Sequence, residues 1–250
     1  MFFPIGDDQV KGGFRPYVSY GFIVINVAIF ALQYTQPGAL ICEFAAIPDN
    51  IISGNSTFTL ITSMFMHGSV MHLVGNMLFL WVFADNIEAT IGSFKFIIFY
   101  LLGGFAASAA HIYFSLGPDL AGCCAPCIQE CAQTATVCAG TVPSLGASGA
   151  IAAVLGAYLV MFPKSKVKVL VLIFFTAFSV PAFLFLGIWI AQQLISGIAA
   201  LGPMASSGGV AWWAHIGGFV FGVLVGGILR FWGRKAHVVS SRKKGGGGLV

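Results

Sequence analysis

A serine and a histidine, each at the opening of an apolar segment, are the residues of this chain whose types and spacing could do chemistry. The serine stands in Gly146-Ala147-Ser148-Gly149-Ala150, just before the apolar run 151–162. The histidine stands in Ala214-His215-Ile216-Gly217-Gly218, inside the run 210–232. A serine hydroxyl is a weak nucleophile until a neighbouring base takes its proton, and an imidazole can take that proton and later hand it to a leaving amine. The oxyanion formed on the way needs hydrogen-bond donors aimed at it, a single good one contributing about 3–4 kcal/mol. Ser148 at a helix opening would offer its own backbone N–H at a positive dipole end, with Gly146 and Gly149 allowing close backbone approach. His72 and Asn76, four residues apart, fall on one helix face and can supply further donors.

The elements that must position these groups lie in lipid. The chain is 58% hydrophobic and 8% charged, with a mean hydropathy of +0.93, well outside the range of soluble domains. About 20 apolar residues at ~1.5 Å each match a hydrocarbon core of roughly 30 Å. Six stretches qualify: 17–35, 70–84, 94–116, 145–162, 167–195 and 210–232. The second and fourth are short, and the fifth is long enough to tilt, with a bend at Pro181. The expected class is therefore an all-α polytopic membrane protein with a six-helix bundle over 17–232. Residues 1–16 form an N-terminal segment and 233–250 a basic, Gly-rich tail, part of it read as a cloning scar. The first span, preceded by Lys11 and Arg15 and lacking a small-residue cleavage site, reads as a retained signal anchor.

Charge sets the expected orientation. All twelve basic residues fall on one side of a six-span alternation, and the loops 36–69, 117–144 and 196–209 contain none. Basic residues collect on the cytoplasmic side, so both termini are expected there. The net charge of +4 then reflects topology, no nucleic-acid motif is present, and the basic tail is expected to meet anionic membrane lipid. With this alternation the second, fourth and sixth spans run inward. His72, Asn76, Ser148 and His215 then share one depth near the outer face, His215 lying roughly 8 Å below the start of its run. None of the eight acidic residues falls within a span at that depth, so a Ser-His dyad without a carboxylate is expected. Gly218, Gly222 and Gly226 give the sixth span a small-residue stripe for a neighbouring helix.

Other polar residues have blander readings. His67 is five residues before His72 and points to a different face. His111 lies in the third span as a structural group, and Asp85 and Glu88 cap or bond a loop at the inner end of the second. The six cysteines fall on the outer side, five of them in the third loop, and an oxidising compartment would let Cys42 tie the first loop to the third. A metal site at Cys124-x-x-Cys127 is the alternative, but that loop holds no histidine and the spacing matches no zinc pattern, so neither metal nor cofactor is expected. The Gly-rich stretch 196–209 is a candidate mobile cap over the site.

Together, His72-x-x-x-Asn76, Gly146-x-Ser148-Gly149 and Ala214-His215-x-x-Gly218-x-x-x-Gly222, in this order, resemble the rhomboid family of intramembrane serine proteases. The likeness runs from about residue 15 to 232. It implies a six-helix core and a Ser148/His215 dyad in a wet cavity open to the outside. It also implies an oxyanion site from His72, Asn76 and the Ser148 amide, with packing support from Gly146, Gly149, Gly218 and Gly222. Cleavage of single-span membrane proteins follows, with small side chains favoured at the cut, as does a place in a bacterial inner membrane. The chain departs from the family pattern at Phe58-Thr59, where many members have Trp followed by Arg or Thr. At Ala152 some carry a tyrosine that packs on the histidine, so support for His215 is expected from Trp212 or Trp213.

The rival reading is a catalytically inactive relative acting as an adaptor or chaperone, but such relatives lack the serine or the histidine and this chain keeps both. A transporter would show inverted repeats or buried midplane carboxylates, and neither is found. No His-Glu-x-x-His and no pair of intramembrane aspartates is present. A soluble nucleophile elbow would need glycine at position 150, where alanine stands. The oligomeric state is not legible in the sequence.

Overall fold

In a computed structural model, the described residues are 2–10, 15–36, 38–116, 127, 139–171, 176–201, 210–232 and 238–239. Among these residues, five helices are long and apolar enough to cross a membrane: α1 (Tyr17–Thr35), α5 (Val70–Ile91), α6 (Ser93–Ser115), α8 (Ala182–Ala199) and α9 (Trp212–Trp232). Three short helices, α2 (Ala39–Phe44), α3 (Pro48–Ile52) and α4 (Thr59–Thr62), and a 3-10 turn over Ser63–Phe65 fold the connection between α1 and α5. A second 3-10 turn, Ala139–Thr141, leads toward α7 (Ser148–Met161).

The fourth predicted span is thus a helix of 14 residues, about 21 Å long and well short of the roughly 30 Å of a hydrocarbon core. It is shielded from lipid instead. Every residue from Gly149 to Tyr158 is buried, and α7 packs against α5, α6, α8 and α9. Its first residue, Ser148, is half-buried.

The seam between α7 and α9 is the most extensive between helices among the described residues. A Cβ on Gly218 would overlap the Gly149 carbonyl, one on Gly222 the Ala153 carbonyl, and one on Gly226 would meet Ala157. The expected small-residue stripe therefore rides directly on the α7 backbone, the close approach that small residues permit between apolar helices. Around this seam lies an aromatic core in which Phe22 stacks on Tyr100 at 4.5 Å and Phe83 meets Tyr158 edge-on at 4.9 Å.

One expectation is corrected at the opposite end of the bundle. The predicted fifth span, 167–195, begins as strands: β3 (Lys166–Val171) pairs antiparallel with β4 (Thr176–Pro181), and only then does α8 start. Lys166 and Lys168 are exposed while Val167 and Val169 are buried, a period of two built on β-branched residues, which suits a strand. Pro181 lacks an N–H and sits at the N-cap, and the first free donors of α8 are satisfied when Ala182 N bonds to Ser165 O at 2.8 Å and Phe183 N to Pro163 O at 3.1 Å. The N-terminal segment is also structured: β1 (Phe2–Gly6) adds to β3, giving a sheet in the order β1-β3-β4. The short strands β2 (Gln9–Val10) and β5 (Val238–Val239) pair with each other, so part of the predicted tail meets the N-terminal segment at this sheet end.

The second span runs seven residues beyond its expected end at position 84 and carries Glu88 into the interior. That fully buried carboxylate accepts from Val18 N at 3.1 Å, Ser19 N at 2.8 Å, Ser19 Oγ at 2.7 Å and Ser93 Oγ at 2.7 Å. It caps the first turn of α1 and ties α5 to α6 across Gly92, where φ is 84° and the two helices join. At the other end, Cys42 and Cys127 form a disulfide with Cα atoms 5.5 Å apart, linking the first loop to the third as expected. Cys123, Cys124, Cys131 and Cys138 lie outside the described residues, as does most of the proposed cap, residues 202–209.

Candidate active site

The approach of the chain to α7 is fixed before the helix begins. Ser144 and Ala46 exchange backbone hydrogen bonds at 2.8 and 2.9 Å, and Gly146 N donates to Ser63 O at 2.8 Å. Gly146 then turns with φ at 128°, a value side chains with a Cβ rarely adopt. A Cβ there would also sit 2.8 Å from the His72 ring and 3.6 Å from Ser148 Oγ, so glycine lets the histidine lie beside the serine. Ser148 follows as the first residue of α7, where backbone N–H groups have no partner within the helix.

Facing it across the glycine seam, His215 Nε2 lies 2.8 Å from Ser148 Oγ. The seam explains the meeting: Gly149 follows Ser148, Gly218 is one turn beyond His215, and these two glycines touch. On the far side of the ring, Nδ1 lies 2.7 Å from Oε1 of Gln193, a buried residue of α8. Trp189, one turn earlier on α8, packs its ring 5.9 Å from the imidazole, and Trp212 stands perpendicular at 6.4 Å. The expected support from Trp212 is present, whereas Trp213 stacks instead on Phe114 at 3.6 Å. The sequence reading missed Gln193 and Trp189. The signal was a glutamine pair, 192–193, in an otherwise apolar helix.

His72 and Asn76 occupy the first two turns of α5, whose N-cap Ser69 accepts from His72 N at 3.1 Å. Asn76 Nδ2 lies 2.9 Å from Nε2 of His67. This corrects the reading of His67, which precedes α5 rather than continuing it, and whose ring folds back to 5.1 Å from that of His72. Gln33 of α1 holds the His67 backbone from both sides, donating to its carbonyl at 3.1 Å and accepting from its N–H at 3.0 Å. Burial, with the His72 ring beside it, pushes the His67 imidazole down to about 4. It is therefore neutral near pH 7, and Nε2 can accept one Asn76 proton, leaving the second amide hydrogen of Asn76 for another acceptor.

These groups open onto a cavity of about 810 Å³ lined by His72, Asn76, Ser148, His215 and Trp212. His111 lines it too, with Ser115 Oγ 3.4 Å from its Nδ1, so the partner that the sequence did not reveal is one turn along α6. An adjoining recess of about 40 Å³ beside Ser148 is walled mostly by small residues, among them Ala107, Gly146 and Ala214, with Met64 and Ile112 beside them. Among the described residues no group of histidine, cysteine or carboxylate side chains could hold a metal ion. The arrangement can deprotonate a hydroxyl, accept a carbonyl within reach of it and surround the resulting charge with donors.

The apolar helices, packed around one short buried helix, define a polytopic helical membrane protein. Residues 54–231 match the Rhomboid domain, and the chain belongs to the rhomboid family. It is similar to Rhomboid protein 1, mitochondrial, of Saccharomyces cerevisiae, 30% identical over 208 residues covering 83% of this chain and 51% of the yeast protein. Presenilin-associated rhomboid-like protein A, mitochondrial, of Danio rerio is 29% identical over 217 residues, 80% of this chain and 48% of its own length. Rhomboid protease GluP of Bacillus subtilis is 29% identical over 149 residues, 58% of this chain and 24% of its own length. The chain spans about half the length of the first two relatives and a quarter of the third. Two of the three are named as mitochondrial, so the bacterial inner membrane expected from the sequence draws no support from them.

Proposed function

We propose that this protein is an intramembrane serine endopeptidase that cuts single-span membrane proteins in or near their transmembrane segments, with Ser148 as nucleophile and His215 as base. The observation that carries the reading is the 2.8 Å contact between His215 Nε2 and Ser148 Oγ at the wall of a cavity that His72 and Asn76 also line. An adaptor has no use for such a contact. The Bacillus subtilis relative is named a protease, which favours the same reading.

In this mechanism Ser148 Oγ attacks the scissile carbonyl as its proton passes to His215 Nε2, and the carbonyl oxygen becomes an oxyanion. The Ser148 N–H at the start of α7, the free Asn76 amide hydrogen and His72 are the donors around it. His215 then protonates the leaving amine, the C–N bond breaks and an acyl-enzyme remains. Water enters from the cavity, loses a proton to His215 and hydrolyses the ester, restoring the serine hydroxyl. The small recess beside Ser148 suits a small side chain next to the cut. Helical substrate hides its carbonyls, so segments with Gly or Pro, which unwind at lower cost, are the expected targets. The Cys42–Cys127 pair at the cavity end favours an orientation with the site toward an oxidising compartment and the basic sheet end in the cytoplasm or its equivalent.

The test is cleavage of a fluorescent single-span substrate by the protein purified in detergent. Ser148→Ala and His215→Ala are expected to abolish turnover, and a fluorophosphonate should label Ser148 only when His215 is present. Full cleavage by either variant overturns the assignment.

A further inference from the structure

We propose that Gln193 of α8 is a positioning residue that completes the Ser148–His215 pair, an uncharged acceptor that holds the imidazole in the tautomer able to take the serine proton. The proposal rests on the proteolytic reading above. Gln193 is 4% exposed, and its Oε1 lies 2.7 Å from His215 Nδ1. The ring is thus held at both nitrogens, by α7 on one side and α8 on the other.

A neutral imidazole carries one N–H, and the partner of one nitrogen decides the role of the other. An amide oxygen at Nδ1 places the proton there and leaves the Nε2 lone pair facing Ser148 Oγ. The opposite amide orientation would present an N–H to Nδ1, force the ring proton onto Nε2 and leave no base for the serine. Once His215 takes the serine proton, both ring nitrogens donate, and the bond to Gln193 strengthens because its donor is charged. A carboxylate could do the same work, but an unpaired charge inside an apolar bundle is costly to desolvate, and an amide avoids that cost. Among the described residues no carboxylate bonds to this ring. Trp189 lies four residues before Gln193, on the same helix face, and packs on the imidazole at 5.9 Å, so one face of α8 supplies both the acceptor and the packing.

The test uses the full chain in detergent, with ¹⁵N-labelled histidine, a fluorescent single-span substrate and a fluorophosphonate. Wild-type His215 is expected to show a protonated Nδ1 and an unprotonated Nε2. Gln193→Met, apolar and of similar length, should lose that preference and lower kcat and the rate of Ser148 labelling about 10- to 100-fold, with KM and the thermal midpoint little changed. Gln193→Glu keeps an acceptor oxygen at the same reach and should return kcat to within a few-fold of wild type. A wild-type kcat and tautomer in Gln193→Met overturns the proposal, and so does a Gln193→Glu variant that folds normally yet loses as much as Gln193→Met. The tautomer is also read in Ser148→Ala. An Nδ1-protonated ring there, in a protein with no Ser148-dependent cleavage, would sink the proteolytic reading itself. Ser148-dependent cleavage indifferent to Gln193→Met would sink this proposal alone.

Discussion

Gly218 of α9 rests on the carbonyl of Gly149 of α7, and this single contact sets the distance between the residues that flank it, Ser148 and His215. The seam continues at Gly222 over Ala153, where a Cβ would overlap backbone rather than a yielding side chain.

Gly222→Val is therefore expected to push α9 away from α7 and break the Ser148–His215 contact two turns up. Overpacking of this kind costs about 1–3 kcal/mol or more, and here it should also abolish cleavage. Thermal unfolding together with fluorophosphonate labelling of Ser148 checks it. A variant that unfolds and labels like wild type would show that the seam does not set the site.

His67 orients Asn76 without facing the reaction itself. His67→Phe keeps a ring of similar size but removes the acceptor for Asn76 Nδ2, and kcat should fall about 5- to 10-fold, in line with the loss of one hydrogen bond. KM should change little, because substrate binding does not use this ring. An unchanged kcat would mean that the Asn76 amide is held by other contacts or is not a donor to the oxyanion.

Glu88→Ala should destabilise the protein without touching the site. The substitution strands the Val18 and Ser19 N–H groups and two serine hydroxyls in a buried place, a loss of about 2–3 kcal/mol. The thermal midpoint reports it, while kcat of the folded fraction stays near wild type. Equal stability of wild type and variant would contradict the capping role.

At the sheet end, Asp7 accepts from Asn86 Nδ2 at 2.7 Å and from the Tyr158 hydroxyl. Burial, with the Asp85 carboxylate nearby, pushes its carboxyl from 3.8 up to about 7. Because the folded protein holds this proton more tightly than the unfolded chain, the contribution is complete below about pH 3.8 and is lost as pH rises through about 7. Between those values stability from this group should fall by up to ~1.4 kcal/mol per pH unit. Thermal midpoints of wild type and Asp7→Asn across pH 4–8 test it, and parallel profiles would exclude Asp7 as the source.

Much of this molecule is legible in single residues. The first, third and sixth spans fall within two residues of their expected limits, because no acidic residue or proline interrupts them and their ends coincide with proline, serine or glycine punctuation. Ser148, His215, His72 and Asn76 stand out because polar groups in apolar helices need a reason. The fifth span misled because its first half is as hydrophobic as a helix: only the alternation of Lys166, Val167, Lys168 and Val169 marks a strand, and β3 is paired on one side by nearby β4 and on the other by β1, far away in sequence. His67 was misplaced because helical spacing was extended backward past Ser69, where the helix in fact begins.

The sequence by itself determined that this chain is built around membrane-crossing helices and singled out one serine and one histidine among them, because hydropathy and residue type are local properties. Which groups surround that pair was decided only by the tertiary structure. Gln193 and Trp189 arrive from α8, and Gln33 of α1 reaches His67 across 34 residues of chain. Such partners are set by how the long helices pack around α7, and glycine backbones touching across a seam leave no spacing in the sequence that names what they bring together.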